Sequence, residues 1–473
     1  MKRSWRLLAV ATALLCSASY VYAENKPWDE RTAAIGAAGA MPSGAIDKEE
    51  MERLREIGEE LFKAKFTIND GSGRPDATQA TVPTKVRHRG PNLFSRTAGL
   101  DSNGCSSCHN EPLPGGAGAF TSNVFVSQGF VNADFDTVDP QFSNERGTNH
   151  MFGSGLLELL AREMTADLYA IRDNALRKAR KSGEPVRVAL ESKGVSYGFI
   201  TAKPDGLVAI NEISGVDPDL TIRPFSQKGV VPSLRQFTVN AMNAHHGMQA
   251  EERYGARWTG TDDFDGDGHT AELRDMDIST LVLWQATLAP PIRQTLDNEE
   301  WRTAAAKGEG LMSSLGCAEC HRPALPLKSL KFTDPGPGNS AANLNDRQVE
   351  APAIYDLGLM EWAASLPRNE KGEVMVPLFG DLKRHAMTDR QITQLGNELL
   401  SQEFVDRTFF MTAELWGVGS TAPYGHRNDI TTLDEIIRAH GGAGREARDR
   451  YVEASGEDRS AIIAFLRSLV IEE

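Results

Sequence analysis

Four of the five cysteines in this sequence stand in two copies of one pattern. The segment Cys105–His109 reads Cys-Ser-Ser-Cys-His, and Cys317–His321 reads Cys-Ala-Glu-Cys-His. Two thiols alone could form a disulfide, but a disulfide has no use for the imidazole that follows. A haem iron does use it, because thioether bonds from both cysteines hold the porphyrin where the next residue's imidazole reaches the metal. The two copies therefore predict two covalently bound c-type haems.

This pattern assigns roles to six residues. The predicted haem-attachment residues are Cys105, Cys108, Cys317 and Cys320, and the predicted iron ligands beside them are His109 and His321. Thiol–disulfide exchange is a weaker hypothesis, because haem attachment would consume both thiols of each unit.

Residues 1–23, which include the fifth cysteine, have the organisation of a secretory signal peptide. Lys2, Arg3 and Arg6 precede an apolar run that is too short to cross a bilayer, and Val21–Ala23 supplies a small-residue cleavage site. We expect cleavage after Ala23 and export to the periplasm, a compartment in which bacteria attach c-type haem.

The formal net charge of −14 makes the chain acidic, and loss of the three cations of the leader would leave −17. An acidic surface argues against nucleic acid as a partner. It fits a basic redox protein, or solubility alone.

An internal repeat surrounds the two cysteine motifs. Glycine-containing segments precede them at Ile57–Phe62 (IGEELF) and Lys307–Met312 (KGEGLM). Apolar residues at helical spacing follow them in Asp277–Leu288 and Asp458–Leu469, and Ser455 is placed to cap the latter helix. Packing a first helix against a last helix around a covalent haem is how small cytochrome c domains are built.

The repeat and its interruptions predict the fold class. Pro290-Pro291 cannot continue the first closing helix, so we expect domains at 24–290 and 291–473. The first is longer, with an amphipathic helix over 156–178 and a hairpin whose two strands flank Pro204-Asp205-Gly206. We expect a mainly α fold with two cytochrome c-like haem domains, the first enlarged by helical and small antiparallel β insertions.

Several segments resemble the di-haem oxidoreductase family, within the superfamily of bacterial di-haem cytochrome c peroxidases. Residues 414–442 (ELWGVGSTAPYGHRNDITTLDEIIRAHGG) are similar to a T-A-P-Y-x-H stretch and the helix after it. Residues 89–109, 152–161 and 231–237 are similar to the oxidoreductase branch. Fourteen residues after the histidine of that stretch, the peroxidases have a methionine that ligates the second haem. We call the haems predicted at Cys105–His109 and Cys317–His321 haem 1 and haem 2. The resemblance therefore implies His440 as the sixth ligand of haem 2.

Haem 1 is then expected to be the chemical site, with a displaceable sixth ligand. The peroxidases carry a distal glutamate in a W-D-G-R context that this sequence lacks, and Glu158 in GLLELLA is the best substitute. A solvated helix residue is an equal alternative for Glu158. His245, His246 or Met248 could instead ligate or shield the iron, and we assign none of them.

An acidic loop offers a candidate calcium site. Asp263, Asp265 and Asp267 alternate before Gly268, as in calcium loops, although Arg274 occupies the position where such loops carry glutamate. A solvated acidic turn is an equally good interpretation. The resemblance implies a second candidate calcium site near residues 421–423.

The leading hypothesis is a periplasmic di-haem c-type oxidoreductase. Haem 1 would reduce peroxide or activate oxygen, and haem 2 would exchange electrons with a small cytochrome or copper protein. One alternative is a non-catalytic di-haem electron carrier, and another is an oxidase or oxygenase that acts on an organic or protein substrate. The resemblance also implies a homodimer as a candidate assembly.

Overall fold

The computed structural model describes residues 28–72, 104–125, 143–264, 266–339 and 343–472, so the predicted signal peptide lies outside it. Helix accounts for 39% and strand for 17% of the structure, which confirms a mainly α fold. The α-helices of the described residues are α1 (Lys48–Lys63), α2 (Ser154–Ser182), α3 (Leu234–Ala241), α4 (Glu251–Tyr254), α5 (Ala256–Thr259), α6 (Asp275–Thr287), α7 (Glu299–Ser314), α8 (Leu433–Arg438), α9 (Arg445–Glu453) and α10 (Gly456–Leu466). Among them we find none that is long and apolar enough to span a membrane.

The strands form several small sheets. In chain order they are β1 (Gly44–Ala45), β2 (Gly118–Phe125), β3 (Ser143–Thr148), β4 (Val186–Ser192), β5 (Val195–Ala202), β6 (Val208–Ile213), β7 (Ile292–Arg293), β8 (Leu325–Leu327), β9 (Lys331–Asp334), β10 (Ala353–Asp356), β11 (Val374–Val376), β12 (Arg384–Ala386), β13 (Phe409–Met411) and β14 (Leu469–Val470). Most pairs are antiparallel, and β1 pairs with β10 in parallel.

Two helix crossings follow from the repeated glycine segments. Gly58 of α1 lies against α6, where an added Cβ would stand 2.0 Å from the Thr280 carbonyl oxygen. Gly308 of α7 lies against α10 in the same way, with the corresponding distance to the Ala461 oxygen also 2.0 Å. Only a residue without a side chain lets two helix backbones approach so closely, so each glycine fixes where its helices cross.

Side-chain caps fix the starts of three of these four helices. The Asp47 carboxylate accepts from the Glu50 amide of α1, and the Asn298 side chain accepts from the Trp301 amide of α7. Ser455 accepts from the amide of Asp458 at 3.1 Å, which confirms the predicted cap of α10. A cap satisfies one of the amides that have no partner within the helix.

The predicted insertion in the first half is present and slightly larger than expected. The helix predicted over 156–178 is α2, and it buries Leu160, Met164 and Leu168 completely. The predicted hairpin is β5 with β6, to which β4 adds a third antiparallel strand that the sequence did not indicate.

The proposed boundary at Pro290-Pro291 falls between α6 and α7, but apolar packing crosses it. Residues Leu325, Phe332 and Tyr355 belong to the same buried cluster as α1, α2 and α6. A second cluster contains α7 and α10 with Leu433 and Tyr451. The division into two domains therefore stays a prediction, since part of the second half packs with the first.

Replacing Gly308 by alanine should destabilise the protein by about 1–3 kcal/mol, because the new methyl group meets the α10 backbone. Thermal or denaturant unfolding of the purified protein measures the change. Gly310→Ala is the matched control, because Gly310 lies in the same helix with no atom within 4 Å of an added Cβ. It should be neutral or stabilise by roughly 0.5–1 kcal/mol through helix propensity. Equal effects of the two substitutions would contradict the close crossing.

Candidate haem-binding site

Both cysteine motifs fold as a short 3₁₀ turn, at Cys105–Ser107 and Cys317–Glu319. The amide of His109 donates to the Cys105 carbonyl at 3.0 Å, and the amide of His321 donates to the Cys317 carbonyl at 2.9 Å. The turn thus presents both sulfurs and the imidazole within one loop.

The first loop rests on the end of α1. Gly104 precedes Cys105, and a Cβ on it would lie 2.2 Å from the Ala64 carbonyl oxygen. The second loop follows α7 directly, through Gly316 at a φ of +89°, in the left-handed region that favours glycine. The helix crossings therefore position both loops.

The imidazole of His109 is held by main-chain carbonyl groups. Its Nδ1 lies 2.9 Å from the Asn149 oxygen and 3.3 Å from the Gly116 oxygen. A carbonyl only accepts, so Nδ1 carries the proton and Nε2 keeps its lone pair for a metal. Burial lowers the pKa of His109, which keeps the ring neutral.

His321 and His440 have the same arrangement. Nδ1 of His321 lies 3.2 Å from the Phe379 oxygen, and Nδ1 of His440 lies 2.8 Å from the Ile436 oxygen at the end of α8. Burial, followed by the nearby His440, lowers the pKa of His321 to about 4. Both rings are thus neutral imidazoles with Nε2 available as a ligand.

The distance between these two rings is informative. The ring centroids of His321 and His440 are 6.5 Å apart. Metal–imidazole bonds are about 2.0–2.1 Å long. When two imidazoles bind one metal ion from opposite sides, the centroid separation is the sum of two such bonds and two nitrogen-to-centroid distances, which is close to the separation observed here. The pair that the sequence placed on haem 2 is therefore together in space.

One continuous cavity of about 670 Å³ joins the two cysteine motifs, and its exposed lining is mainly apolar. Cys105, Cys108 and His109 line one part, and Cys317, Cys320, His321 and His440 line another. Large, mainly apolar cavities with a few polar groups are typical of cofactor sites. The lining, the two cysteines of each motif and the oriented imidazoles fit a haem at each motif.

The sequence left three candidate ligands open near haem 1, and the structure shows which of them line the cavity. His245 and His246 line the cavity on a π-helical turn, Met242–His246, whereas Met248 is fully buried and does not line it. Nε2 of His246 lies 3.6 Å from the Cys105 sulfur. Burial, followed by the imidazole of His109, lowers the pKa of His245 to about 4. His245 is therefore a neutral imidazole that faces the same space as His109.

Glu158 is buried and both of its carboxylate oxygens have polar partners within the fold. It is 1% exposed, and it is absent from the cavity lining although Ser154 and Leu157 of the same helix are present. One carboxylate oxygen pairs with Arg162 at 2.6 Å, and the other accepts from the Leu234 amide at 2.8 Å. Burial raises its pKa, and Arg162 and the Leu234 amide oppose that rise. The carboxylate thus joins α2 to the start of α3.

Three cavity residues were not singled out as site residues from the sequence. Burial raises the pKa of Glu414 to about 7. A group whose pKa lies near the working pH transfers protons efficiently. His150 lies beside Asn149, and its Nε2 is 3.2 Å from the Trp416 carbonyl oxygen. Trp416 packs on Gly153 and lines the cavity. Glu414 and Trp416 stand in the segment that carries the family resemblance, which is the signal that could have found them.

A set of three potential metal ligands lies beside the second motif. The ligand atoms of Cys320, Asp381 and His385 lie within 4.8 Å of one another. Burial opposes protonation of His385, but its contacts with Asp381 and the Cys320 thiol raise its pKa to about 9. Haem attachment at Cys320 would remove the thiol from this set, so the set does not compete with a covalently bound haem.

The predicted calcium loop is described only in part, because Asp265 lies outside the described residues. Asp263 accepts from the Gly268 amide and Asp267 from the His269 amide, which are ordinary turn contacts. Glu272 accepts from the Gln249 amide at 2.7 Å. A calcium site here, as near residues 421–423, stays a prediction.

The thiols do not favour the disulfide-exchange alternative. The four cysteines at 105, 108, 317 and 320 are free of disulfide bonds. Burial raises the pKa of Cys105 to about 12, whereas exchange requires a thiolate near neutral pH.

Comparisons with known proteins find local similarity. No family model matches the chain. Cytochrome-c peroxidase IdrP2 of Denitromonas iodatirespirans is 33% identical over 78 residues, which are 16% of this chain. The match spans only about a fifth (21%) of that curated protein.

Among solved structures, a MauG-like protein associated with microbial copper homeostasis is 12% identical. The match covers 56% of this chain and 77% of that one, with a TM-score of 0.28, which is too low to support an argument about the fold.

Glu158→Gln should lower stability by about 1–3 kcal/mol, because Arg162 loses its buried counter-ion. It should leave haem spectra and turnover of the folded protein unchanged. Denaturant unfolding and peroxide assays measure the two effects. Glu59→Gln is the control, since Glu59 forms an exposed pair of the same spacing with Lys63 and its loss should cost less than about 0.5 kcal/mol. Lost turnover with unchanged stability would instead support a catalytic role for Glu158.

Proposed function

We propose that this chain is an exported di-haem c-type oxidoreductase. In this proposal the site at His109 reduces peroxide or activates oxygen, and the site at His321 and His440 transfers electrons to or from a small periplasmic redox protein. The chemistry comes from the bound haems, which supply one-electron transfer and, at an open coordination position, activation of peroxide or oxygen.

The observation that carries the proposal is the shared orientation of His109, His321 and His440. Each donates Nδ1–H to a main-chain carbonyl and keeps Nε2 for a metal. Such a hydrogen bond is the usual support of a metal-binding histidine. Two of the three directly follow a Cys-x-x-Cys pair, and the ring of the third, His440, has its centroid 6.5 Å from that of His321.

The two proposed sites differ in the residues that would face the haem. His321 and His440 would both ligate the iron of haem 2, which would leave no place for substrate and would suit electron transfer. At the other site His245 faces the cavity as a neutral imidazole, able to accept a proton from an incoming peroxide. We assign His245 this role in place of Glu158, whose oxygens are engaged outside the cavity lining.

His245 also supports the second candidate function, a di-haem electron carrier. If its imidazole binds the iron opposite His109, both haems have two ligands and no substrate can bind. The two functions therefore differ in the coordination of haem 1.

Haem content and the electron paramagnetic resonance spectrum of the ferric protein, purified after periplasmic expression, test the proposal. We expect two covalent haems per chain, with one high-spin and one low-spin signal in the fully ferric protein. Replacing both Cys105 and Cys108 by alanine should remove the high-spin signal, and replacing Cys317 and Cys320 should remove the low-spin one.

Two low-spin signals in the ferric protein, with no high-spin signal appearing on half-reduction, would support the carrier. In that case His245→Ala should convert one of them to high-spin. Absence of covalent haem would contradict both functions.

His440→Met should keep haem 2 low-spin but raise its reduction potential, because a thioether stabilises ferric iron less than imidazole does. His440→Ala should make haem 2 high-spin. Potentiometric titration followed by absorbance measures the first change. His426→Met is the control, because Nε2 of His426 lies 3.3 Å from the Glu398 carboxylate and not against His321. An unchanged potential in His440→Met would show that His440 is not a ligand.

A further inference from the structure

Arg253 is a buried cation whose partners are neutral. It is 1% exposed and begins the last turn of α4. Its two Nη atoms donate to the Asn240 and Asn343 side-chain oxygens, each at 2.7 Å. Its Nε has no hydrogen-bond partner among the described residues. A guanidinium offers five donor hydrogens, so these contacts leave donor capacity unused.

The neighbouring acidic residue does not neutralise this charge. Both oxygens of Glu252 are engaged elsewhere, one with Arg235 at 2.5 Å and the other with the Leu344 amide at 3.0 Å. Among the described residues Arg253 forms no ion pair. Burying a charge without a counter-ion costs several kcal/mol, and proteins avoid this cost by pairing.

Arg253 also lines the cavity that contains the two cysteine motifs. Its partner Asn240 lies on α3, just before the turn that carries His245 and His246. Since His246 reaches the Cys105 sulfur, Arg253 belongs to the haem 1 side of the cavity. Asn243, also 1% exposed, lines the same region, and its Oδ1 has no hydrogen-bond partner in the part of the chain that the structure describes.

We propose that Arg253 binds a carboxylate in the cavity, and that this carboxylate is a propionate of haem 1. The inference rests on the proposed function, because it needs a haem at Cys105 and Cys108. Arginine suits this role, since its planar group donates two parallel hydrogen bonds to one carboxylate. The missing counter-ion would then arrive with the cofactor.

The consequence is electrostatic as well as structural. A fixed cation beside haem 1 favours the ferrous state, which carries one positive charge less than the ferric state. Removing the cation should therefore lower the reduction potential of haem 1.

The test compares Arg253→Met with Arg257→Met in the holoprotein. Arg257 is an exposed arginine four residues away, so its replacement keeps the change of net charge without changing the cavity. We expect two haems in both variants. We expect Arg253→Met to shift the haem 1 ferric–ferrous equilibrium about tenfold toward ferric, which is about 59 mV for one electron. The propionate bending band in resonance Raman should shift as well, and Arg257→Met should change neither.

Acetate distinguishes the two sources of a carboxylate. If Arg253 binds a free carboxylate, added acetate will change the haem 1 spectrum of the wild-type protein but not of Arg253→Met, and the propionate band will be the same in both. That result would overturn the propionate assignment.

Arg253→Lys covers the case in which the methionine variant does not fold. It keeps the charge but not the paired hydrogen bonds, so the propionate band should shift while the potential changes less. Two haems with unchanged potential and unchanged band in the variants would overturn this inference and leave the proposed function standing. A chain without covalent haem would overturn both.

Discussion

The contact between two helix backbones at a glycine determines where each cysteine motif lies. Gly58 and Gly308 allow α1 to meet α6 and α7 to meet α10 at distances that exclude a side chain. The first motif then rests on the end of α1, and the second follows α7 with only two residues between. A covalent cofactor has two bonds and one ligand that must be satisfied together, so the loop that supplies them needs a fixed base. The same kind of helix crossing fixes the base of both cysteine loops.

Main-chain carbonyls complete the sites from distant parts of the sequence. The oxygen that orients His109 comes from Asn149, and the oxygen that orients His321 comes from Phe379. Backbone acceptors do not titrate, so these hydrogen bonds hold one tautomer over a wide pH range. The side chains facing the cavity differ from them in kind. His245 and Glu414 can change their protonation, and Arg253 contributes a permanent charge.

The sequence predicted what depends on local pattern. The cysteine motifs, the helices of the repeat, the cap at Ser455 and the β5–β6 hairpin could be read from spacing and residue type. His440 required the family resemblance, because nothing local distinguishes it from any histidine at a helix end. Glu158 was chosen because it interrupts an apolar run, but its partners Arg162 and Leu234 show that a buried ion pair produces the same pattern. The carbonyl partners, and the neutral partners that the described residues give Arg253, depend on long-range packing, which residue types alone do not encode.

The parallel pairing of β1 with β10 has a consequence for how the chain is made. Gly44 pairs with Ala353, 309 residues later, and Ala45 pairs with Ile354. Among the described residues, the N-terminal strand therefore pairs only with a segment that is made after most of the polypeptide. Contacts over such sequence distances form slowly, and the chain exposes strand edges and apolar surface until the two strands have paired. In the proposed di-haem protein, haem attachment at the first motif can precede this pairing, so the order of the two events becomes a kinetic property of maturation.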